Sequence, residues 1–496
     1  MTTLQIRWNV DELLAPFNMR GSQSVVTSLS QDSREQQHNS LFVARNGGSH
    51  LGSDFAHQAV SKGASVVLLQ GSKEQAKALA KALSVDVIAW DPAKLSLGKL
   101  ANRFYNEPSK KMGLVGITGT NGKTSCVHFL VQLLSLLGKK TAMMGTLGWG
   151  FLDNLSPSSH TTLDPITLQR RLAELEADGA GMVVMEVSSH AIDQGRVECI
   201  DFDLAAYTNL SRDHLDYHGS MSAYANTKAR FFRECGIPQQ LLNADDAHVS
   251  ELLDEDTNAH RVSFSANGER SWARVDAYRC GSTGIHLTVE VDREVVNVTV
   301  PVMGHFNVSN VLLVIAAACQ LGYPLSLIAP KMSHIKSVPG RMEVVTANDQ
   351  PTIIVDYAHT PDALEKALLA CREHSTGLIK VLFGCGGDRD QGKRAMMAAV
   401  AEQWADEVWV TSDNPRTENP QSIIDQIMSG FKKPEHVHQI VGRADAIDHI
   451  VRHAQLGDVV LLAGKGHEHY QEINGERLPF SDQVQSLKAL ERGGVF

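Results

Sequence analysis

Residues 116–125, GITGTNGKTS, constrain the fold of this chain more than any other stretch. An apolar run, KMGLV, precedes them. A segment in which Phe129, Leu130, Leu133, Leu134 and Leu137 recur at helical spacing follows, with Gly138 as a plausible stop. Strand, glycine loop and helix is the setting in which backbone N–H groups and a helix N-terminus face an anion. Lys123 adds a full positive charge, and Thr124 can place its hydroxyl on Mg2+. The spacing departs from the common phosphate loop, G-x-x-x-x-G-K: counting back from Gly122 lands on Ile117, with Gly116 and Gly119 to either side. The alternative is a glycine turn with a surface lysine. The flanking elements favour a nucleotide site of a kind distinct from ordinary kinases and GTPases.

Such a loop belongs to an open, mainly parallel sheet, and 496 residues are enough for about three domains. Over 1–91, SLFVARNG, DFAHQAVSKGA, SVVLLQG and VDVIAW alternate strand and helix. The unit 92–340 carries the phosphate loop and further strands at GMVVMEVSS, LAAYTNLS and QQLLNADD. Its stretch 259–303 changes to alternating residues and reads as antiparallel β. VLLVIAAACQLGYPL is too short to span a bilayer and reads as a buried helix. SVPGRME marks a second boundary, after which 341–496 alternates strand and helix again. The fold class expected is α/β in three domains: an N-terminal α/β domain, a central phosphate-loop ATPase-like domain with a mainly parallel sheet, and a C-terminal Rossmann-like domain.

A net charge of −10 argues against a general nucleic-acid binder. The seven cysteines form no CxxC pair and suit packing in a reducing cytoplasm. MTTLQIRWNVDELL shows no signal-peptide pattern, so a cytosolic protein is expected.

Polar residues gather where strands end. Glu186 closes VVMEVSSH, ahead of Ser188, Ser189 and His190, and a carboxylate there faces the ligand crevice of a doubly wound sheet. It is a candidate Mg2+ ligand; the alternative is a surface acid. In SRDHLDYHG, His214 and His218 lie among Asp213 and Asp216, which invites zinc. No Cys partner or HExxH pattern accompanies them, so magnesium fits better. Lys228 alone reads as a surface helix lysine. In the C-terminal unit, DYAHTPD places Asp356, Tyr357 and His359 at a strand tip, with Thr360 as helix cap and Pro361 in the first turn. FGCGGDRDQGKR, TSDNPRTENP and AGKGHEHYQ end further strands, and sheet topology can bring these loops to one crevice.

GITGTNGKTS, MEVSSHA, TNLSRDHLDYH, GHFNVSN, PGRME, DYAHTPD, GGDRDQGKR, DNPRTENP and GKGHE occur in this order from about residue 116 to 468, and together resemble the Mur ligase family. The N-terminal unit resembles that family's UDP-binding domain more loosely. The resemblance implies an ATP- and Mg2+-dependent ligase of bacterial cell-wall precursor synthesis. The branch matched best joins meso-2,6-diaminopimelate to the D-Glu γ-carboxylate of UDP-N-acetylmuramoyl-L-alanyl-D-glutamate through an acyl phosphate. An L-lysine-adding relative and a folylpolyglutamate synthetase-like ligase are the alternatives within this chemistry, although DNPRTENP and the long N-terminal domain speak against the latter. A phosphate-loop kinase or GTPase is the rival from another class, and a non-catalytic binding module would show no turnover.

Residue by residue, the resemblance implies ATP contacts from Gly119, Thr120, Asn121, Gly122, Lys123, Thr124, Ser125, Asn307, Asn310, Arg341 and Asp356. It implies metal contacts from Thr124, Glu186, His214 and Lys228, the last as a carbamate, which reverses the surface reading of that lysine. Lys123, His214 and Lys228 are the implied catalytic groups. Ser33, the 48–50 turn, His160, Thr161, Thr162, Ser188, Gln194 and Arg196 match positions for the UDP-muramoyl dipeptide. Arg389, Asp413, Asn414, Pro415, Arg416, Gly464 and Glu468 match the amino-acid site. The partners implied are small molecules, with no nucleic acid, no membrane and a monomeric chain.

Overall fold

The computed structural model describes residues 4–35, 38–47, 50–211, 213–249, 259–281, 284–345 and 350–493. The chain divides into two compact units, Met1–Ser263 and Phe264–Phe496. Three layered α/β assemblies are found within them.

The first unit opens with a parallel four-stranded sheet in sequence order: β1 (Ser28–Ser30), β2 (Ser40–Ala44), β3 (Ala64–Gln70) and β4 (Asp86–Trp90). The residues of β2 and most of those of β3 are buried, as a parallel strand covered on both faces requires. Helix α1 (Ala56–Ser61) connects β2 to β3, and α2 (Lys73–Leu83) connects β3 to β4. The α2 helix starts at a capping box, in which the Ser72 hydroxyl accepts from Gln75 N and the Gln75 side chain accepts from Ser72 N. Helix α3 (Leu97–Phe104) adds Leu97, Leu100, Ala101 and Phe104 to a core with Val10, Leu13, Ile88 and Trp90.

The second sheet of this unit comprises β5 (Gly113–Thr118), β6 (Thr141–Gly145), β7 (Gly148–Phe151), β8 (Asn154–Ser156), β9 (Met182–Glu186), β10 (Leu204–Tyr207) and β11 (Gln239–Asn243). Its order is β8-β7-β6-β9-β5-β10-β11, parallel from β6 to β11, with β7 and β8 antiparallel. Helices α4 (Lys123–Leu136), α5 (Pro165–Ala177), α6 (Ser189–Asp193) and α7 (Met221–Glu234) connect the strands. The first strand, β5, lies between β9 and β10, so the loop after it opens at the switch in strand order where ligands bind in such sheets.

The second unit begins with β12 (Ala273–Gly281), β13 (Gly284–Val291) and β14 (Glu294–Val300), an antiparallel meander as the alternating residues predict. The expectation of antiparallel pairing over all of 259–303 needs one correction: Phe264 and Ser265 pair parallel with Ala273 and Arg274. Alternation identifies a strand with one covered face but carries no information on its direction. Helix α8 (Phe306–Gln320) is buried on nearly every side.

The third sheet comprises β15 (Glu343–Val344), β16 (Thr352–Asp356), β17 (Ile379–Phe383), β18 (Glu407–Val410), β19 (Val437–Gln439) and β20 (Val459–Ala463). Its order is β15-β16-β20-β17-β18-β19, parallel apart from β15. Apolar clusters cover it on both sides, one around Ile354, Val381 and Leu461, the other around Ile353, Leu382 and Leu462. Helices α9 (Pro361–His374), α10 (Gly392–Trp404), α11 (Pro420–Met428), α12 (Arg443–His453) and α13 (Asp482–Gly493) surround it, with a hairpin of β21 (Tyr470–Ile473) and β22 (Glu476–Pro479). Thr360 caps α9 by accepting from Ala363 N, with Pro361 in the first turn. No helix among the described residues is long and apolar enough to cross a membrane.

Candidate active site

The phosphate-type loop is held open by its own glycines and by the strand beside it. Gly119 has φ +146°, and a Cβ there would lie 1.8 Å from Thr208 Oγ1. Gly122, at φ +82°, starts α4 from a left-handed conformation that glycine adopts without steric cost. Thr120 N donates to Asn209 O at 2.8 Å and Asn121 N to Asn209 Oδ1 at 3.0 Å, so the TNLS segment after β10 shapes the loop. Lys123 Nζ curls back to donate to Gly119 O and Thr120 O, both at 2.8 Å. Burial pulls its pKa down, and the carboxylates of Glu186 and Asp213 oppose that shift.

Glu186 is 1 % exposed at the end of β9. Its carboxylate accepts from Thr124 Oγ1 at 3.0 and 3.1 Å and from Thr146 N at 2.8 Å. Burial raises its pKa against the pull of Lys123 and these donors. Gly145 permits the approach, since a Cβ there would lie 2.3 Å from Glu186 Oε1. A buried carboxylate with a hydroxyl at the edge of an anion-binding loop is a hard oxygen donor set that suits Mg2+. The surface alternative for Glu186 is overturned.

Lys228 is also 1 % exposed, which overturns its reading from the residues alone as a surface lysine. Sequence spacing places it on a helix, but only the packing of α7 under the loop shows which face it occupies. Its Nζ donates to Gly119 O at 2.9 Å and lies 4.7 Å from the Tyr224 ring centroid. Burial, then the Lys123 charge, drives its pKa well below the ordinary lysine range. His214 is half-exposed with φ +53°, its ring 4.9 Å from that of His190. His218 Nε2 pairs with Ser189 Oγ at 2.9 Å. The Asp216 side chain lies outside the described residues. Among the described residues, His214 and His218 join no three-ligand group of the kind zinc needs. The group that does gather, Cys280, Glu373 and His374, has both His374 nitrogens committed, to Gly304 N at 2.8 Å and Gly281 O at 2.7 Å.

Beside Glu186, Thr162 Oγ1 donates to Glu186 O at 2.8 Å and accepts from Ser188 N at 3.1 Å. Arg196 donates to Thr162 O at 2.8 Å and grips Gln194 Oε1 through Nε and Nη2 at 3.0 and 2.6 Å. Thr161 Oγ1 meets Thr146 Oγ1 at 3.1 Å, and exposed His160 lies one residue away. These side chains form one polar wall next to the Thr124–Glu186 pair. Ser33 lies apart from them, in the first sheet, where its hydroxyl contacts Gln58 Oε1 at 2.5 Å. An open pocket of about 370 Å3 nearby is lined by Gln31, Phe42, Val43, Arg45, Asn46, Gly47, Gly52 and Phe55. Residues 48–49 of the expected uridine turn lie outside the described residues.

Within the second unit, Asn307 and Asn310 lie buried in the first turns of α8, with Asn310 Nδ2 donating to Asn307 Oδ1 at 2.9 Å. Arg341 lies over the Tyr357 ring at 4.9 Å. Asp356 accepts from Met342 N at 2.7 Å and Ala358 N at 2.8 Å, while burial raises its pKa.

The strand-end loops of the third sheet do converge. Asn414 Nδ2 donates to Glu468 Oε2 at 2.8 Å. Gly464, at φ +115°, passes so close to Asp413 that a Cβ would lie 2.5 Å from its Oδ2. Burial raises the Asp413 pKa, opposed first by Arg443 and then by Lys465. Arg416 follows Pro415 with φ +50° and donates from Nη1 to Gly387 O at 2.7 Å. Backbone bonds from Arg416 N to Glu472 O and from Asn474 N to Arg416 O tie it to β21 and its turn. Arg389 is exposed on the adjacent glycine loop. Ion pairs brace the ring of loops: buried Arg394 with partly exposed Glu418 at 2.8 Å, and fully buried Arg443 with Asp482 at 2.6 Å.

Thr146, Asn209 and Lys465 are residues of these sites that sequence reasoning did not single out. Lys465 stands inside the quoted GKGHE, two residues past the fully buried strand β20, and that position was its one available signal.

Comparison with known proteins agrees with this layout. Profiles of the Mur ligase family catalytic domain, the Mur ligase middle domain and the Mur ligase glutamate ligase domain match residues 25–105, 117–318 and 340–466. A UDP-N-acetylmuramoyl-L-alanyl-D-glutamate–2,6-diaminopimelate ligase of Coxiella burnetii is 44 % identical over 94 % of this chain and 96 % of its own length. The enzyme of that name in Pseudomonas aeruginosa is 44 % identical over 94 % and 95 %. A solved structure of a ligase of the same name is 34 % identical, with a TM-score of 0.72 over 94 % of this chain and 95 % of that one. With a phosphate loop, a buried carboxylate and lysine beside it, and three successive domain matches, this chain belongs to the Mur ligase family.

Proposed function

We propose that this chain joins meso-2,6-diaminopimelate to the D-Glu γ-carboxylate of UDP-N-acetylmuramoyl-L-alanyl-D-glutamate, converting ATP to ADP and phosphate. The observation that carries this reading is Lys228, buried against the phosphate loop, in a chain 44 % identical over 94 % of its length to a ligase of that name. Residues 1–91, 92–340 and 341–496 would serve as UDP-binding, ATP-binding and amino-acid-binding domains, in the cytoplasm.

A carboxylate is a poor electrophile, and phosphorylation by ATP makes it one. The N–H groups at the start of α4, with Gly119 to Ser125, would cradle the phosphates. Lys123, released from its loop carbonyls, would meet the charge that builds between γ-phosphoryl and carboxylate. Thr124, Glu186, His214 and Lys228 would hold Mg2+, which would supply further neutralisation of the phosphates. Lys228 fits that set only as an anion. Its depressed pKa leaves a fraction as free amine, whose nitrogen can bond to the carbon of CO2 and release a proton, giving a carbamate. Asn307, Asn310, Arg341 and Asp356 would receive the adenine and ribose. The wall of His160, Thr161, Thr162, Ser188, Gln194 and Arg196 would hold the muramoyl dipeptide, with uridine near Ser33. Arg389, Asp413, Asn414, Arg416, Gly464 and Glu468 would place the amine for attack on the acyl phosphate, after which phosphate leaves.

Phosphate release from ATP tests the reaction class. A ligase releases phosphate only with both the muramoyl dipeptide and the amino acid present. Release with the dipeptide omitted, or undiminished without the amine, would point to a kinase or GTPase.

A further inference from the structure

Lys465 is fully buried, yet no step above uses it. Its ammonium donates to Asn414 Oδ1 at 3.0 Å and to Glu468 Oε2 at 2.9 Å, and lies 3.8 Å from Asp413 Oδ1. An ammonium can only donate, so the Asn414 atom it meets must be the amide oxygen. Glu472 N donates to the same oxygen at 2.9 Å, which fills both of its lone pairs. The amide nitrogen is thereby turned to Glu468 Oε2, 2.8 Å away. One N–H of Asn414 and Oε1 of Glu468 then have no partner among the described residues. A donor and an anionic acceptor side by side match the carboxylate and ammonium of a zwitterionic amino acid.

We propose that Lys465 is a positioning residue for the incoming amino acid: it sets the orientation of the Asn414 amide and the Glu468 carboxylate that receive it. Without Lys465, the Asn414 amide oxygen keeps only the Glu472 N–H as a donor, and the amide's orientation rests on that bond and on the Glu468 carboxylate alone. Glu468 would also lose its ammonium partner, and Asp413 would keep Arg443 but not Lys465 as a nearby cation. Both effects weaken amino-acid capture and leave the phosphate loop, in the other unit, unaltered. The proposal rests on the amino-acid site placed under the function above.

The test is steady-state kinetics of the full chain and of Lys465→Met, with meso-diaminopimelate, ATP and the muramoyl dipeptide varied in turn. Loss of one partner of a buried charged group predicts a rise in KM for diaminopimelate of at least about 30-fold. The KM values for ATP and dipeptide should stay within about twofold, because uniform binding of one substrate alone is lost. If Lys465→Met does not fold, Lys465→Gln, which keeps hydrogen bonding without the charge, is read in the same way. A diaminopimelate KM within about twofold of wild type would overturn the proposal, as would a parallel rise in all three KM values. Failure of both variants to fold would make the role structural and overturn it too. A wild-type chain that takes no diaminopimelate would instead sink the functional reading, which separates the two failures.

Discussion

Lys228 Nζ and the Gly119 carbonyl oxygen lie 2.9 Å apart, so a buried amine supports the phosphate loop from beneath. The same carbonyl receives Lys123 Nζ at 2.8 Å. Two lysines therefore converge on one loop oxygen, and the Lys123 charge adds to burial in disfavouring a charged Lys228. Lys228→Ala should lower kcat at least about 100-fold, the scale of losing a preorganised charge in a water-poor site. Acetate or formate should restore part of it, whereas the wild type should respond to bicarbonate and not to acetate. Unchanged turnover in Lys228→Ala would remove the carbamate from the mechanism.

Gly119→Ala tests the loop itself. A Cβ would meet Thr208 Oγ1 at 1.8 Å, and φ +146° is a conformation that side chains rarely adopt. The substitution should cost more than about 1 kcal/mol of stability and abolish ATP binding. Thr208→Ala in the same chain would remove the hydroxyl clash but neither the 3.0 Å approach to Asn209 N and O nor the backbone strain, so titration calorimetry should still show no ATP binding. Restoration by the double variant would mean that the Thr208 hydroxyl alone excluded the side chain.

Much of this site is local in sequence and could be read there. The helix that the phosphate loop opens, the Thr360 cap and the meander from Ala273 to Val300 depend on neighbours close in sequence. Residues whose role depends on burial could not be read in that way. Lys228 and Lys465 look like any surface lysine until packing removes them from water. Arg443 and Asp482, 39 positions apart, meet only because α12 and α13 pack together. Helix α3 follows the boundary expected at residue 91 yet packs into the same core as Val10 and Trp90. The boundary expected there gives no sign of the apolar face that the helix buries.

His374 gives a pH signature. Gly304 N donates to its Nε2, so Nε2 must be unprotonated, and its Nδ1–H donates to Gly281 O. Burial depresses its pKa from 6.5. As the pH falls below 6.5 the unfolded chain takes up this proton before the folded chain does. The contribution to stability is therefore complete above that pH and is lost as pH falls toward the depressed folded value. His374→Gln should flatten the corresponding part of a plot of denaturation midpoint against pH. An unchanged slope in the variant would assign the acid sensitivity to other groups.

Arg416 should carry amino-acid selectivity. meso-Diaminopimelate differs from lysine by a distal carboxylate, which a guanidinium can meet with paired hydrogen bonds. Arg416 is already tethered by Nη1 to Gly387 O at 2.7 Å, which restricts how it can turn. Arg416→Ala should lower kcat/KM for diaminopimelate by roughly 2–5 kcal/mol, or about 30-fold to several thousand-fold. ATP binding should be unaffected. An equal effect on both would make Arg416 structural.

The most direct measurement is kcat/KM of the wild-type chain with the UDP-muramoyl dipeptide and ATP, comparing meso-diaminopimelate with L-lysine as the amine. The distal carboxylate contact predicts a preference for diaminopimelate of at least about 30-fold, with one phosphate released per tripeptide formed. Equal use of lysine would contradict the diaminopimelate assignment, and phosphate release without tripeptide would contradict the ligase itself.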